Sequence, residues 1–313
     1  MTIRVRLGVT FPQDELSGDP LALRRFVVAA EELGYDHVLV TGILVLPQRQ
    51  TVLVARQAAD VDLLSGGRLR LGVGIGYNPV EYHALGAGWA TRGRRLDEQI
   101  PYLRQLWSGE PVSFTGEFDQ IDRAAVYPPP AHPIPIWLGG SSEAAFRRAA
   151  RLADGFIFGY GLRDEAVHAW RRVRELLDEQ GRAPDNFRTL FNLLPDQPGT
   201  TLDQAVDALP RLCDAGATDI AVTSGRHGLR TLDEHIGFIT ELKARADAAL
   251  ASAGLALAGL GLERQRDIGE HVLLAADELA PPGLDENVPG VHAVHRRRGL
   301  RVPQEAAVDP RVA

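Results

Sequence analysis

Residues 34–47 read GYDHVLVTGILVLP, and the way this run folds decides how many strands the protein has. Apolar residues occupy positions 38–40 and 43–46, with only Thr41 and Gly42 between them. The run is longer than the roughly four to eight residues of most strands, yet it leaves no room for a helix between two strands. It is therefore either one long strand or two pieces of strand whose connecting unit is absent.

On both sides of this run, short apolar segments alternate with amphipathic ones. Strands are predicted at 3–9, 69–73, 134–138, 155–158, 187–194 and 219–223, and helices at 20–33, 51–64, 91–107, 143–152, 164–180, 202–214 and 232–250. Residues 112–121 predict a hairpin with its turn at Thr115–Gly116. This order is typical of parallel strands joined by right-handed crossovers. With the opening run counted as one strand the total is seven, whereas a closed (β/α)8 barrel needs eight.

The alternation defines a domain at 1–250, followed by an extension at 251–313. One further helix is predicted near 263–279. After Pro281 the chain is rich in Pro, Gly, Arg and His without periodicity, which predicts disorder.

Composition excludes several classes of protein. The chain has 313 residues, a formal net charge of -7 and one cysteine, Cys213. The negative charge argues against a nucleic-acid partner, because phosphate backbones attract basic surfaces. No apolar stretch approaches the roughly 18 residues of a membrane span, and the start shows no signal-peptide pattern. A single cysteine excludes an internal disulfide and favours a cytoplasmic location.

The segment PIWLGGSSEAAF, residues 135–146, suggests an anion site. A predicted strand ends at Gly139 and Gly140, Ser141 and Ser142 follow, and a helix begins at once. Free amides and the positive dipole end of a helix N-terminus favour a phosphate there. The alternative is an ordinary serine N-cap, which is very common.

The segment LGVGIGYNPVEY, residues 71–82, fails as a dinucleotide motif because its third glycine is missing. Pro79 is expected to prevent a helix from starting directly after the strand. We interpret the segment as a strand that ends in a glycine-lined mouth, where a flat ring could approach the backbone. Asn78 would project its amide into this face. The alternative is a turn that needs Gly76 and Asn78 only for backbone reasons.

No nucleophile or metal motif is present: G-x-S-x-G, a Walker A lysine and H-E-x-x-H are all missing from the sequence. The acidic pair Glu31–Glu32 is expected to be solvated. The histidines, such as His83, His227 and His235, have no partners nearby in sequence and are interpreted as surface or packing residues. The catalytic residues therefore stay unassigned, and no metal is expected.

Several stretches together resemble the luciferase-like flavin or deazaflavin oxidoreductases. They are TGILVLPQRQ (41–50), LLSGGRLRLGVGIGYNPVEYHALG (63–86), RGRRLDEQI (92–100), PIWLGGSSEAAFRRAARLADGF (135–156) and ATDIAVTS (217–224). The greatest similarity is to the subgroup that uses coenzyme F420, a deazaflavin that carries hydride. The resemblance implies a TIM-type barrel with the cofactor at its C-terminal face.

The resemblance also implies cofactor contacts. Thr41–Gly42 would lie beneath the ring, where the family typically has a non-proline cis peptide, and Asn78 would face the ring's polar edge. Phosphate contacts are implied for Gly139, Gly140 and Ser141, with Gly159 and Tyr160 nearby.

The opening run departs from the family pattern. In relatives, a strand after GYDHVLV leads to a loop with an Asp-His pair, then a helix, then a strand that continues into TGILVLP; here a βαβ unit of about 30 or more residues is missing. Asp36–His37 precedes the strand, at the opposite end of the barrel, so His37 does not inherit the catalytic role. We expect the run to be the front of one strand fused to the rest of another. The barrel would then have seven strands, or be distorted, with unpaired edges that favour a homodimer.

Three functions follow from these observations. The first is an F420-dependent oxidoreductase acting on a small organic substrate. The second is an FMN-dependent monooxygenase on the same scaffold. The third is a catalytically silent cofactor-binding protein, because the missing unit could remove the acid/base group.

Overall fold

The computed structural model describes residues 4–16, 19–40, 43–159, 164–193 and 201–257. These all belong to the first of two compact units, Met1–Val272 and Leu273–Ala313. The helix expected at 263–279 and the disorder expected after Pro281 lie outside the described residues. The domain boundary at residue 250 stays a prediction.

Within the described residues, eight short parallel strands form the main sheet. They are β1 (Arg4–Thr10), β2 (His37–Leu39), β3 (Leu44–Val45), β4 (Leu71–Gly74), β7 (Ile136–Gly139), β8 (Gly155–Phe158), β9 (Arg188–Leu193) and β10 (Asp219–Thr223). Their order in space is β2-β1-β10-β9-β8-β7-β4-β3. A further strand, β11 (Ala256–Leu257), pairs with the start of β1, and β5 (Val112–Thr115) pairs with β6 (Gln120–Ala124). The hairpin prediction is confirmed, but the turn spans residues 116–119 and is not centred on Thr115–Gly116, because Thr115 still belongs to β5.

Helices separate most of the parallel strands. They are α1 (Gln13–Leu16), α2 (Pro20–Glu32), α3 (Thr51–Leu64), α4 (Pro79–Ala84), α5 (Arg92–Leu106), α6 (Glu143–Leu152), α7 (Asp164–Glu179), α8 (Leu202–Asp214) and α9 (Leu232–Ser252). Short 3-10 turns occupy Leu46–Gln48 and Pro184–Asn186. The seven predicted helices are confirmed to within two residues at each end, whereas α1 and α4 were not predicted.

Local sequence fixes where the helices begin. The side chains of Asp19, Ser142, Thr201 and Thr231 each accept a hydrogen bond from an amide in the first turn of α2, α6, α8 and α9. Thr201 and Thr231 form complete capping boxes, which satisfy two amides reciprocally. The strand-to-helix turns at the carboxyl ends of the strands are therefore defined locally.

The opening run is two strands and not one. β2 pairs with β1 through Gly8↔His37, and β3 pairs with β4 through Leu44↔Val73. Within the described residues β2 and β3 share no ladder. The expected fusion into one strand, and the count of seven, are therefore wrong. The expected distortion is confirmed, because among the strands that the structure describes the barrel is not closed between β2 and β3.

Alternation along each strand separates two faces. On β1, Val5, Leu7 and Val9 are buried in the large core between sheet and helices. On the concave face, Trp137, Leu190 and Ala221 form a second, smaller apolar cluster. The sheet curls strongly, because Arg70, beside β4, reaches the carboxylate of Asp219 on β10 at 3.0 Å. These two strands are separated by three others.

Within the described residues, none of the helices combines the length and the apolar character that a membrane crossing requires.

Candidate cofactor site

The carboxyl ends of the parallel strands bring most of the described candidate residues to one rim of the barrel. Gly139 ends β7, and Gly159 follows β8, which pairs with β7 through Gly139↔Ile157. Asn78 lies four residues beyond the end of β4, on the other side of β7. Thr41, Gly42 and Tyr160 lie outside the described residues, so their implied roles stay predictions.

The turn from β7 to α6 requires glycine. Gly140 has a φ of +143°, a region that side chains other than glycine rarely adopt. A Cβ placed on it would lie 2.8 Å from the Cβ of Ala145. Only a glycine therefore allows the chain to enter the helix so abruptly.

The two serines of this turn have different roles. The Ser142 hydroxyl accepts a hydrogen bond from the amide of Ala145 at 3.3 Å and so caps α6. Ser141 is exposed. The first amides of a helix have no partner within it, and they carry the positive end of the dipole. The serine N-cap and an anion site are thus compatible here, with Ser142 for the cap and Ser141 for a ligand.

The charge at the start of α6 is largely neutralised. The carboxylate of Glu143 lies 2.7 Å from Arg147 and 2.8 Å from Arg172. The hydrogen bond from Arg172 is the main cause that holds the pKa of Glu143 below its usual range. An anion near Ser141 therefore does not face an unpaired carboxylate, because the two arginines offset the charge of Glu143.

Gly159 borders open space. A Cβ placed on it would meet no atom of the described part of the chain within 4 Å. The loop at Gly159 is next to the loop at Gly139–Ser142 because their strands pair directly. A phosphate-bearing tail thus has two neighbouring glycine-lined loops to contact.

Asn78 caps a helix in this structure. Its Oδ1 accepts from the amide of Val80 at 3.0 Å, and its Nδ2 donates to Glu81 at 3.1 Å. These contacts agree with the alternative interpretation of Asn78, in which it serves the local backbone and does not project into the face. The expectation that Pro79 prevents a helix is wrong, because α4 begins at Pro79. Proline suits the first helical position, where its missing N–H would have no partner.

The glycine-lined mouth is covered by Ile43. The Cδ1 of Ile43 lies 2.5 Å from where a Cβ on Gly74 would stand, and 3.2 Å from the corresponding point on Gly139. A flat ring at this rim would meet the isoleucine side chain and not bare backbone. This is a correction to the sequence interpretation, in which the glycines themselves faced the ring.

A cleft of about 160 Å³ lies on the other side of the rim. Its lining comes from the ends of β1, β2 and β10 and from α1: Thr10, Phe11, Pro12, Gln13, Asp14, Glu15, Val40, Thr223, Gly225 and Arg226. It is smaller than the roughly 300–1,000 Å³ of most ligand pockets. The segments that follow β8 and β9 in sequence, 160–163 and 194–200, lie outside the described residues.

Glu15 organises one wall of this cleft. Its Oε1 accepts from the amide of Arg226 at 2.6 Å. Arg226 has a φ of +64°, which is uncommon for a residue other than glycine. Such backbone persists only where the surroundings enforce it, and it concentrates at functional sites. Sequence analysis missed Glu15, because 211 residues separate it from its partner.

Two histidines lie close to this wall. His235 is fully buried, and its Nδ1 lies 3.0 Å from the Ser224 hydroxyl. The ring of His227 packs against Phe238 with centroids 4.6 Å apart. Burial lowers the pKa of both, against the opposing charge of Glu15. Burial thus favours the neutral form of both rings, and the prediction that they are packing residues fits these contacts.

These residues fit the anionic part of a phosphorylated cofactor. The α6 amides and the exposed Ser141 offer donors, and Gly140 and Gly159 keep side chains away from the path. Ile43 offers an apolar surface next to them. The described residues do not enclose a ring by themselves.

A family model described as luciferase-like monooxygenase matches residues 38–265. An uncharacterised protein of Mycobacterium tuberculosis is 41% identical over 180 residues, which cover 58% of this chain and 59% of the relative. An F420-dependent glucose-6-phosphate dehydrogenase of Nakamurella multipartita is 39% identical over 140 residues, or 40% of this chain and 41% of that protein. The pyrimidine monooxygenase RutA of Escherichia coli is 30% identical over 179 residues, 55% of this chain and 48% of RutA.

The chain thus spans about three fifths of the length of the mycobacterial relative. Among solved structures, an F420-dependent secondary alcohol dehydrogenase in complex with an F420-acetone adduct superimposes with a TM-score of 0.64. It is 15% identical, and the match covers 78% of this chain and 99% of that one. At this identity the match supports the barrel fold alone.

Proposed function

The chain belongs to the luciferase-like monooxygenase family, and from that premise we propose that it is an F420-dependent oxidoreductase acting on a small organic substrate. The single observation that carries the proposal is the turn at Gly139–Ser142, where a glycine-only backbone delivers the free amides of α6 to the rim. The similarity to two relatives named F420-dependent glucose-6-phosphate dehydrogenase supports the choice of deazaflavin.

Bound F420 would supply hydride transfer, and the protein would supply binding and orientation. The amides of Glu143 and Ala144 and the hydroxyl of Ser141 would hold its phosphate. Ile43, whose side chain covers Gly74 and Gly139, would offer an apolar contact for its ring.

Glu15 is the group in the cleft best placed to handle the proton that accompanies hydride transfer. Its carboxylate is half-buried, and the Arg226 amide holds it at the cleft wall. Asp14 also lines the cleft but is exposed. Under this proposal Glu15 gives or takes the proton at the polar atom of the substrate. Asp14, an exposed carboxylate of the same cleft, is the matched control for substitutions at Glu15.

Two alternatives rest on particular observations. The similarity to RutA, a monooxygenase, favours FMN in place of F420. The open barrel between β2 and β3 favours a protein that binds a cofactor without turnover. The unpaired edges at the same gap support association of two copies of this chain. Size-exclusion chromatography with light scattering tests the dimer, and a monomer at micromolar concentration would refute it.

Titration of the purified full chain with F420, and separately with FMN, tests the function. We expect F420 to bind saturably. We also expect the protein to oxidise reduced F420 when a substrate from a panel of ketones, aldehydes and sugar phosphates is added. Binding of FMN alone would move the assignment to a flavin monooxygenase. Binding without turnover across the panel would favour the silent protein, and binding of neither cofactor would refute all three.

A further inference from the structure

A basic cluster lies at the opposite, amino-terminal end of the barrel. Its centre is Asp219, the first residue of β10, whose carboxylate is fully buried. Arg6 and Arg70 donate to it at 3.0 Å, and Arg188 lies 3.2 Å away. These three arginines come from β1, the start of β4 and β9, so the curl of the sheet brings them together. We call Asp219 with the three arginines the Asp219 cluster.

The Asp219 cluster carries more positive than negative charge. Three guanidinium groups face one carboxylate, and an arginine stays protonated in proteins. The next carboxylate, Asp36, accepts from the amide of Leu7 at 2.9 Å, and burial raises its pKa to about 6. Asp154, whose backbone carbonyl accepts from the amide of Arg188, has its carboxylate paired with Arg104 at 2.9 Å. Even with Asp36 ionised, the Asp219 cluster therefore keeps an excess positive charge.

This excess charge is open to solvent. The side chains of Arg6, Arg70 and Arg188 are 25%, 29% and 39% exposed, whereas Asp219 is 0% exposed. Each guanidinium has five N–H donors, of which Asp219 can accept only a few. Burial is the main cause that lowers the pKa of Arg70 and Arg188, and repulsion from Arg6 adds to it. A second anion would relieve that repulsion.

Next to the cluster, the His37 ring has hydrogen-bonding nitrogens that no described residue contacts. The ring of His37 packs on Gly8, and both its nitrogens are buried without a hydrogen-bond partner among the described residues. Burial lowers the pKa of His37 to about 4, so the ring is neutral at pH 7. It can therefore donate one hydrogen bond without adding charge.

We propose that the amino-terminal mouth of the barrel binds a phosphate group, held between Arg6, Arg70 and Arg188 on the solvent side of Asp219. A tetrahedral oxyanion matches the planar fork of arginine, which binds phosphate through two parallel N–H bonds. The site is separate from the rim that carries Gly139–Ser142 and does not depend on the redox function.

Thermal unfolding of the full chain in low millimolar inorganic phosphate, against sodium chloride at the same ionic strength and pH, tests the proposal. At a hundredfold excess over Kd, ligand linkage predicts a Tm higher by about 5–10 °C. Titration calorimetry gives the affinity, which R188Q is expected to weaken at least tenfold. R25Q, an exposed arginine paired with Asp233, is the matched control and keeps the affinity of the wild type.

Three outcomes would overturn the proposal. Phosphate could give the same Tm as chloride, or R188Q could bind as tightly as R25Q. Loss of binding in S141A with retention in R188Q would place the phosphate at the opposite rim. If R188Q does not fold, R70K gives the same comparison, since lysine keeps the charge and loses the fork.

Discussion

The Cδ1 of Ile43 lies over Gly74, at 2.5 Å from the point where a Cβ on that glycine would stand. Ile43 directly precedes β3, and Gly74 ends β4. These two strands pair with each other and form one side of the gap. Their contact explains why this mouth needs a glycine: the space is taken by an isoleucine from the neighbouring strand.

Gly74→Ala is therefore expected to destabilise the protein by about 1 kcal/mol, the low end of overpacking costs, because Cδ1 is the far end of a flexible side chain that can move aside. Urea unfolding measures the change. The additional substitution Ile43→Val removes Cδ1 and should restore part of the loss. Gly237→Ala, in an exposed and open position of α9, is the control and should not destabilise. Equal stabilities for G74A and G237A would contradict the contact.

The α6 turn predicts a contrast between two adjacent serines. Ser142→Ala removes the cap and should cost about 1 kcal/mol of stability. Ser141→Ala removes an exposed hydroxyl and should leave the Tm unchanged while it weakens cofactor binding. Thermal melts and cofactor titrations of both variants provide the check. A Tm loss in S141A equal to that in S142A would contradict this division of roles.

Acid unfolding should depend on two neighbours with opposite effects. The pKa of His37 is lowered to about 4 by burial, so the fold loses stability as the pH falls from about 6.5 toward 4. The pKa of Asp36 is raised to about 6, so proton uptake there favours the fold over the range from about 6 to 4.

Asp36→Asn removes the opposing effect, and the loss of stability on acidification should become steeper. Urea melts at several pH values between 4 and 7 measure the slope. A slope equal to that of the wild type, or shallower, would show that Asp36 does not take up a proton in this range.

The cleft predicts a role for Glu15 in turnover. Glu15→Gln keeps the shape of the side chain and removes its charge and its proton transfer. Under the proposed function, kcat should fall by about a hundredfold or more. Cofactor affinity should be unchanged, and Asp14→Asn, on the same wall, should keep wild-type kcat. Equal kcat for E15Q and the wild type would exclude Glu15 as the acid/base.

Local patterns predicted the parts of the fold that depend on neighbours in sequence. The alternation of strands and helices is confirmed, and so is the abrupt turn from β7 to α6. In each case the deciding contact, such as Ser142 with Ala145, spans only a few residues.

The parts that the sequence analysis missed depend on register and curl. Whether His37–Leu39 and Leu44–Val45 belong to one strand or to two is decided by their pairing with β1 and β4. Arg70 meets Asp219 across 149 residues. No periodicity within a short window carries that information, since it follows from how strongly the whole sheet bends.

The central claim is that the loops at Gly139–Ser142 and Gly159 hold the phosphorylated part of F420. Gly159→Val tests it most directly, because no atom of the described residues lies within 4 Å of a Cβ placed on Gly159. We predict that the variant keeps the Tm of the wild type and binds F420 at least tenfold more weakly in an equilibrium fluorescence titration. Equal F420 affinity for the variant and the wild type would contradict the claim.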